Sequence, residues 1–277
     1  MDETAETPFR PIDDVGLRVP FGMPQPVDPE LEAVVKRMAG VTRGAGIVMA
    51  AQEIAADPTG MLRTVLSLVK LLVFGRAQQT LDQVVRDAPK LGCKSGCAWC
   101  CYQSVEATIP EAILVAAQLG DPADPRRARL LENAARFRGL SEPERRRTGR
   151  PCALLGGDNR CTVYDDRPLM CRAMMAGEAE QCHAAHQAAL NGEKETPVDI
   201  FMFAQYFILG DQAGLRGILR DMGLQDDLVE LTQAVAAFLE DPGLIERWLN
   251  RERIFDAVAM APPQHRGEAA APATSAG

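Results

Sequence analysis

The sequence predicts a mainly α fold: a helical domain with an irregular cysteine-rich loop region and one small β-hairpin. Three observations predict it. Apolar residues recur at three- and four-residue steps from Gly60 to Phe74 and again from Leu228 to Leu239. Helix-start signatures are spread along the chain. The helical period breaks at Pro89, ahead of eight cysteines between Cys93 and Cys182. With 277 residues, 47% of them hydrophobic, the chain can enclose a core without covalent staples, so eight cysteines call for another explanation.

Residues 1–27 combine prolines and acidic groups with no apolar period and read as a flexible N-terminal arm. A single helical domain is expected over 28–262, with a cysteine module at 90–190. Residues 263–277, rich in Ala, Pro, Gly and Ser, read as a disordered tail. Asp28-Pro29 places an N-cap before a proline at the first helical position, where a missing N–H costs nothing. The pair recurs at Asp57, Asp124 and Asp241, and a helix is expected after each. Leu62, Val65, Leu66, Val69, Leu72 and Val73 form one helical stripe, and a second helix is expected through Leu81, Val84 and Val85.

Beyond Pro89, Gly92, Ser95 and Gly96 place the first cysteines on a turn-rich loop. Thr108 with Glu111, and Ser141 with Glu144, have the spacing of capping boxes. The first starts a helix carrying Ile113, Leu114 and Ala117. Gly156, Gly157, Asp158 and Asn159 lie between short apolar runs and predict a hairpin over Cys152–Tyr164 that folds Cys152 toward Cys161. Thr196-Pro197 is expected to start a helix through Phe201, Met202, Tyr206 and Phe207. Leu228, Leu231, Val235, Phe238 and Leu239 mark the last stripe.

A net charge of −8 argues against general nucleic-acid binding, which needs a surplus of Lys and Arg. The exception is local: nine arginines between Asp124 and Arg150 face only Asp124, Glu132, Glu142 and Glu144. This stretch is a solvated helical face or a docking surface for an acidic protein partner. The greasy stretch Met61–Phe74 contains Arg63 and Lys70 and is shorter than the roughly 20 residues of a membrane span. Met1–Arg10 has neither the basic start nor the apolar run of a secretory signal. That predicts a cytoplasmic protein whose thiols stay reduced.

The cysteines read Cys93-x3-Cys97-x2-Cys100-Cys101, then Cys152, Cys161, Cys171 and Cys182. Soft thiolates select zinc, copper(I) and iron-sulfur clusters, and each centre takes four of them or three with an open position. Eight would satisfy two. A turn aims Cys97 and Cys100 at one metal, with Cys93 close enough to join. Cys101 follows Cys100 directly, and in extended backbone the two would point apart, so Cys101 is expected to face a second site. Tertiary folding must bring in the later four. Inert buried thiols are the alternative, strongest for the isolated Cys182. His183 and His186 follow at helical spacing, as nitrogen ligands or as exposed polar residues; His265 has no expected role. Arg167 and Arg172 flank Cys171 and, with Tyr164, are candidate cofactor-binding residues. The guanidinium groups would offset anionic sulfur or hold a negatively charged substrate, and Tyr164 would pack over the site. A surface ion pair for Arg167 and a core position for Tyr164 are the plainer readings.

The sequence resembles the bacterial YkgJ-type cysteine-cluster family, a zinc- or iron-chelating domain with eight cysteines. The resemblance rests on the first cysteine group, Pro151-Cys152, Cys161-Thr-Val-Tyr164 and Arg167-Pro168-x2-Cys171-Arg172, and covers residues 93 to 182. It implies that the seven cysteines from Cys93 to Cys171 are ligands, with Cys182 the eighth. The metal stays open between zinc and an iron-sulfur cluster of the 4Fe-4S type. Three functions remain: a metal-chelating protein with a redox or structural role, a methyl-transfer enzyme using S-adenosylmethionine, or a zinc-stabilised interaction module. The second draws on the Cys93-x3-Cys97-x2-Cys100 spacing, which radical enzymes share, and on a similarity to flagellin lysine methylating proteins. The alternating strands and helices of the usual radical-enzyme barrel are missing from the pattern.

Overall fold

The computed structural model describes residues 29–56, 60–87, 91–193 and 198–255. The arm over 1–27, the tail over 263–277, and the helix starts at Asp28, Asp57 and Thr196 lie outside the described residues. Within them the fold is mainly α, as the patterning predicts.

Helix α1 (Pro29–Ala56) begins on its proline. Helices α2 (Met61–Ser67) and α3 (Arg76–Asp87) are joined without a break by a π-helical stretch, Leu68–Gly75. The wider π turn adds a residue per turn, and the buried positions around it include Val65, Leu68, Val69, Phe74, Ala77 and Leu81. A strict 3.6-residue stripe does not anticipate the π-helical stretch. Strand β1 (Glu106–Thr108) leads into α4 (Ile109–Ala117), whose capping box forms between Thr108 and Glu111 and whose residues Ile109–Ala116 are all buried. Asp124 caps α5 (Pro125–Phe137) by accepting the Arg126 N–H at 2.8 Å. Ser141 and Glu144 form the second capping box, on α6 (Glu142–Arg147).

Helix α7 (Leu169–Ala173) and helix α8 (Ala179–Asn191) complete the cysteine region. Helix α9 (Met202–Asp221) starts after Phe201, later than expected, and strand β2 (Leu228–Glu230) precedes α10 (Leu231–Glu240) and α11 (Gly243–Leu249). Leu228 is therefore in a strand, and the last helical stripe begins at Leu231.

Among the described residues, the one small β pair is antiparallel and joins β1 to β2, Ala107 opposite Val229. The turn expected over Cys152–Tyr164 also folds back. Gly156 N–H donates to Arg160 O at 2.8 Å, Thr162 N–H to Leu154 O at 2.9 Å, and an isolated antiparallel bridge pairs Leu155 with Cys161. Asn159, at the tip of the turn, takes a left-handed φ of 60°, which Asn tolerates better than most residues.

α1 lies along α9. Gly210, Gly214 and Gly217 let them approach, since a Cβ at Gly214 would sit 2.6 Å from that of Thr42. The fully buried Asp211 accepts from Thr42 Oγ1 at 2.6 Å and from Arg76 at 2.5 Å, and Arg43 pairs with Asp221 at 2.6 Å. α4 packs against α10, and α10 against α5. Among the described residues, no helix is long and apolar enough to cross a membrane.

In the arginine-rich stretch Arg145 and Arg146 are buried, and Arg126, Arg127 and Arg150 are half-buried. Arg145 pairs with Glu230 at 2.7 Å, Arg126 with Asp124 at 2.6 Å and Arg150 with Glu132 at 2.5 Å. Arg127 donates to Leu239 O at 2.8 Å and Arg146 to Ala185 O at 3.3 Å. Arg129, Arg136, Arg138 and Arg147 remain exposed.

Candidate metal centre

Gly92 opens the first cysteine loop. Its N–H donates to Ala176 O at 3.0 Å, and a Cβ there would fall 2.6 Å from Ala179 N, so only glycine permits this approach to the start of α8. Ala176 N–H in turn reaches Cys93 Sγ at 3.1 Å. These contacts draw Cys93 to the segment that carries Cys182.

Cys100 and Cys101 lie in a 3-10 turn, Trp99–Tyr102, and not in extended backbone. Their side chains therefore share a hydrogen bond where the sequence suggested that they diverge. Directly beside this turn, Cys152 N–H donates to Cys101 O at 2.7 Å. Cys161 lies on the bridge of the folded-back turn and Cys171 on α7. All eight cysteines are free thiols, and all are half-buried.

Electrostatic influence divides the sulfurs into two overlapping groups. Cys93 and Cys182 each interact with Cys97 and Cys100. Cys101 and Cys171 interact with Cys152 and Cys100, and Cys171 also with Cys161. Cys100 belongs to both. Burial pushes the Cys152 and Cys182 thiols up to about 11, with repulsion from neighbouring sulfurs added, and also raises Cys93, Cys161 and Cys171. Cys100 is the exception. The hydrogen bond with Cys101 holds it down to about 7, with help from the Arg167 guanidinium, while Cys101 is raised by the same bond.

The donor chemistry suits zinc or iron: eight soft sulfurs gathered on adjoining segments repel one another as anions, a cost that a bound cation would reverse. Among the described residues, no three His, Cys, Asp or Glu side chains form a ready-made metal site. The thiols lie near enough to influence one another's charge in two overlapping groups that share Cys100.

The three candidate cofactor-binding residues separate. Tyr164 is 52% exposed, not in the core, and the Arg167 guanidinium stacks 4.1 Å from its ring centroid. Arg167 is half-buried, with its Nε lacking a hydrogen-bond partner among the described residues, and it lowers Cys100, Cys161 and Cys171. Arg172 is buried. It donates to Arg167 O at 3.1 Å, Asp165 O at 2.6 Å and Gln78 Oε1 at 3.0 Å, and lies over the Phe74 ring. Those bonds tie α7 to the π stretch and α3.

His183 is exposed and stacks on Trp99 with centroids 4.4 Å apart. His186 is buried, contrary to a plain solvated histidine, and packs 4.2 Å from Tyr102. Burial, followed by Arg146, lowers the His186 pKa. Trp99 and Tyr102, which the sequence reading passed over, thus join the Cys100–Cys101 turn to α8. Their signal was available: aromatic residues are 5% of the chain, yet two flank that pair.

The fold is that of a mainly helical protein whose eight cysteines are free thiols. The segment 92–189, about a third of the chain, matches the model of the CxxCxxCC family, described as "Putative zinc- or iron-chelating domain", and it contains all eight cysteines. No curated protein and no solved structure matches the chain.

Proposed function

We propose that this protein chelates a metal, as an iron-sulfur cluster or as zinc, through Cys93, Cys97, Cys100, Cys101, Cys152, Cys161, Cys171 and Cys182, in a redox or structural role. The observation that carries this reading is the joining of the early and late cysteines, with Cys152 bonded to the Cys101 carbonyl and Cys93 to the Ala176 amide. Cys93, Cys97 and Cys182 would supply one side of the centre, and Cys101, Cys152, Cys161 and Cys171 the other, with Cys100 between them. An iron-sulfur cluster would supply one-electron chemistry, and zinc would supply folding energy.

Arg167 offsets thiolate charge at Cys100, Cys161 and Cys171, and Tyr164 holds its guanidinium in place by stacking. The exposed Arg129, Arg136, Arg138 and Arg147 are what an acidic protein partner would meet. The methyl-transfer reading rests on the Cys93-x3-Cys97-x2-Cys100 spacing and the resemblance to flagellin lysine methylating proteins, and the described residues have no alternating strand-helix units to support it.

The test is elemental analysis and optical spectroscopy of protein purified without oxygen. Iron with acid-labile sulfide and broad visible absorption would establish the cluster. Stoichiometric zinc in colourless protein would establish the zinc form. Metal-free protein with all eight thiols titratable would overturn the proposal.

A further inference from the structure

We propose that Glu111 is a positioning residue for the cysteine centre: it fastens the N-terminus of α7 and so holds Cys171 toward Cys101 and Cys152. The inference rests on the metal-chelating reading for its purpose, and on geometry for its content.

Among the described residues, two capping boxes can be compared directly. In the first turn of α6, Glu144 is exposed, and a single oxygen, Oε2, accepts from Ser141 N–H at 2.7 Å and from Ser141 Oγ at 2.6 Å. That is all a cap requires. In the first turn of α4, Glu111 is completely buried. Its Oε2 accepts from Thr108 N–H and Thr108 Oγ1, both at 2.7 Å, and its Oε1 takes the Leu169 N–H at 2.7 Å, 58 residues away. Enclosing a carboxylate in the core carries a desolvation cost that a cap alone does not explain. The second oxygen accounts for its placement.

α7 needs the help. It has five residues, too few to persist as an isolated helix, and its N-cap is Pro168, which offers no side-chain cap. Leu169 N–H is the first orphan donor of that helix, and Cys171 follows two residues later. Leu169 itself is fully buried, so the bond fixes both the height and the rotation of α7. Arg172 secures the other side by its bonds to Asp165 O and Arg167 O. Cys171 thus sits on a short turn held between a carboxylate and a guanidinium.

The test is residue-resolved alkylation of the metal-free full chain with iodoacetamide, using Cys182 as the internal reference, in wild type, Glu111→Gln and Thr108→Ala. Glu111→Gln replaces the carboxylate by one neutral oxygen and an NH2 donor, so the Thr108 and Leu169 N–H groups can no longer both be held, and the labelling rate of Cys171 relative to Cys182 should rise about tenfold. Thr108→Ala weakens the cap but keeps the Leu169 bond, and should change that ratio less than about twofold. Equal acceleration at both cysteines, or the same effect from both variants, would reduce Glu111 to an ordinary cap and overturn the inference. If Glu111→Gln does not fold, hydrogen exchange on wild type decides: a slow Leu169 amide supports the clamp, and a freely exchanging one removes it. Both measurements are read without metal. Failure of the clamp is therefore distinguishable from failure of the metal-chelating reading, which shows as absence of metal from oxygen-protected wild type.

Discussion

Cys152 N–H donates to Cys101 O at 2.7 Å, so the backbone of the later cysteine segment is bonded to the turn that carries the earlier pair. With the bond from Ala176 to Cys93 Sγ, it makes the cysteine region a set of loops closed on one another by few hydrogen bonds. Loops of this kind depend on what their side chains hold. Removing the metal should withdraw on the order of 10 kcal/mol if the ion is structural zinc. The loss should be local: on chelation, the amides of Cys152 and Ala176 are expected to lose hydrogen-exchange protection, while those of the buried α4 keep theirs. Uniform loss across both regions would mean that the centre and the scaffold unfold as one unit.

The eight cysteines should not contribute equally. Cys97 lies on the tight first loop, with its N–H bonded to Lys94 O at 2.9 Å, whereas Cys182 stands on the first turn of α8, beside the exposed His183. Cys97→Ser is expected to abolish metal loading, and Cys182→Ser to weaken it, with His183 or water available in its place. Metal-to-protein ratios measured on freshly purified variants check this. Equal content in wild type and Cys97→Ser would refute the ligand assignment.

Local signals in the sequence translated directly. Thr108 with Glu111, Ser141 with Glu144, and Asp124 with Pro125 mark true helix starts because capping involves residues no more than three apart. The pairing of Ala107 with Val229 was not legible, since nothing local to either three-residue strand names its partner. The same reason hid the fate of the arginines: Arg145 looks solvated until Glu230 arrives from 85 residues away. In the site, spacing identified the sulfurs but not their grouping. The Cys100–Cys101 step depends on whether the backbone is extended or turned, and the 3-10 turn lets those two side chains meet.

Alkaline pH should separate the metal-free and metal-loaded forms. Burial chiefly raises Cys152 and Cys182 to about 11 from an ordinary value of 9.0. A group raised on folding contributes stability that is complete below its unfolded pKa and lost as pH climbs through the folded one. Cys100, lowered to about 7, has the opposite sign: its contribution is full above pH 9.0 and lost as pH falls through about 7, so it adds no slope in the alkaline window. The melting temperature of metal-free protein should therefore fall between pH 9.0 and about 11. The loaded form should fall less, because its sulfurs are already thiolates. Identical profiles would mean that neither thiol is held by metal.

Cys100 should be the most readily alkylated thiol near neutral pH in the metal-free protein. Its main support is the hydrogen bond with Cys101, and Arg167 adds a smaller electrostatic share. Cys101→Ala should accordingly shift the alkylation midpoint of Cys100 upward by more than Arg167→Gln does. Peptide-resolved labelling across pH measures both shifts. A larger effect from Arg167→Gln would make the guanidinium, and not the neighbouring thiol, the source of the acidity.

The scaffold can be challenged independently of the centre. Asp211 is wholly buried between α1, α3 and α9, and its Oδ1 accepts from Thr42 and from Arg76 across the helices, while its Oδ2 has no hydrogen-bond partner among the described residues. Arg76→Met keeps much of the apolar stem but removes the cation, leaving a buried carboxylate with a hydroxyl as its remaining partner. Breaking such a pair from one side costs about 3–5 kcal/mol, and Thr42→Val should cost less, about 1–3 kcal/mol, since the guanidinium remains. Denaturant titration of metal-free protein gives both values. Because α7 packs on α9, a coupled system would also lose metal in Arg76→Met, whereas full loading at reduced stability would place this pair outside the support of the centre. A change within about 0.5 kcal/mol for Arg76→Met would show that solvent, and not the guanidinium, satisfies Asp211.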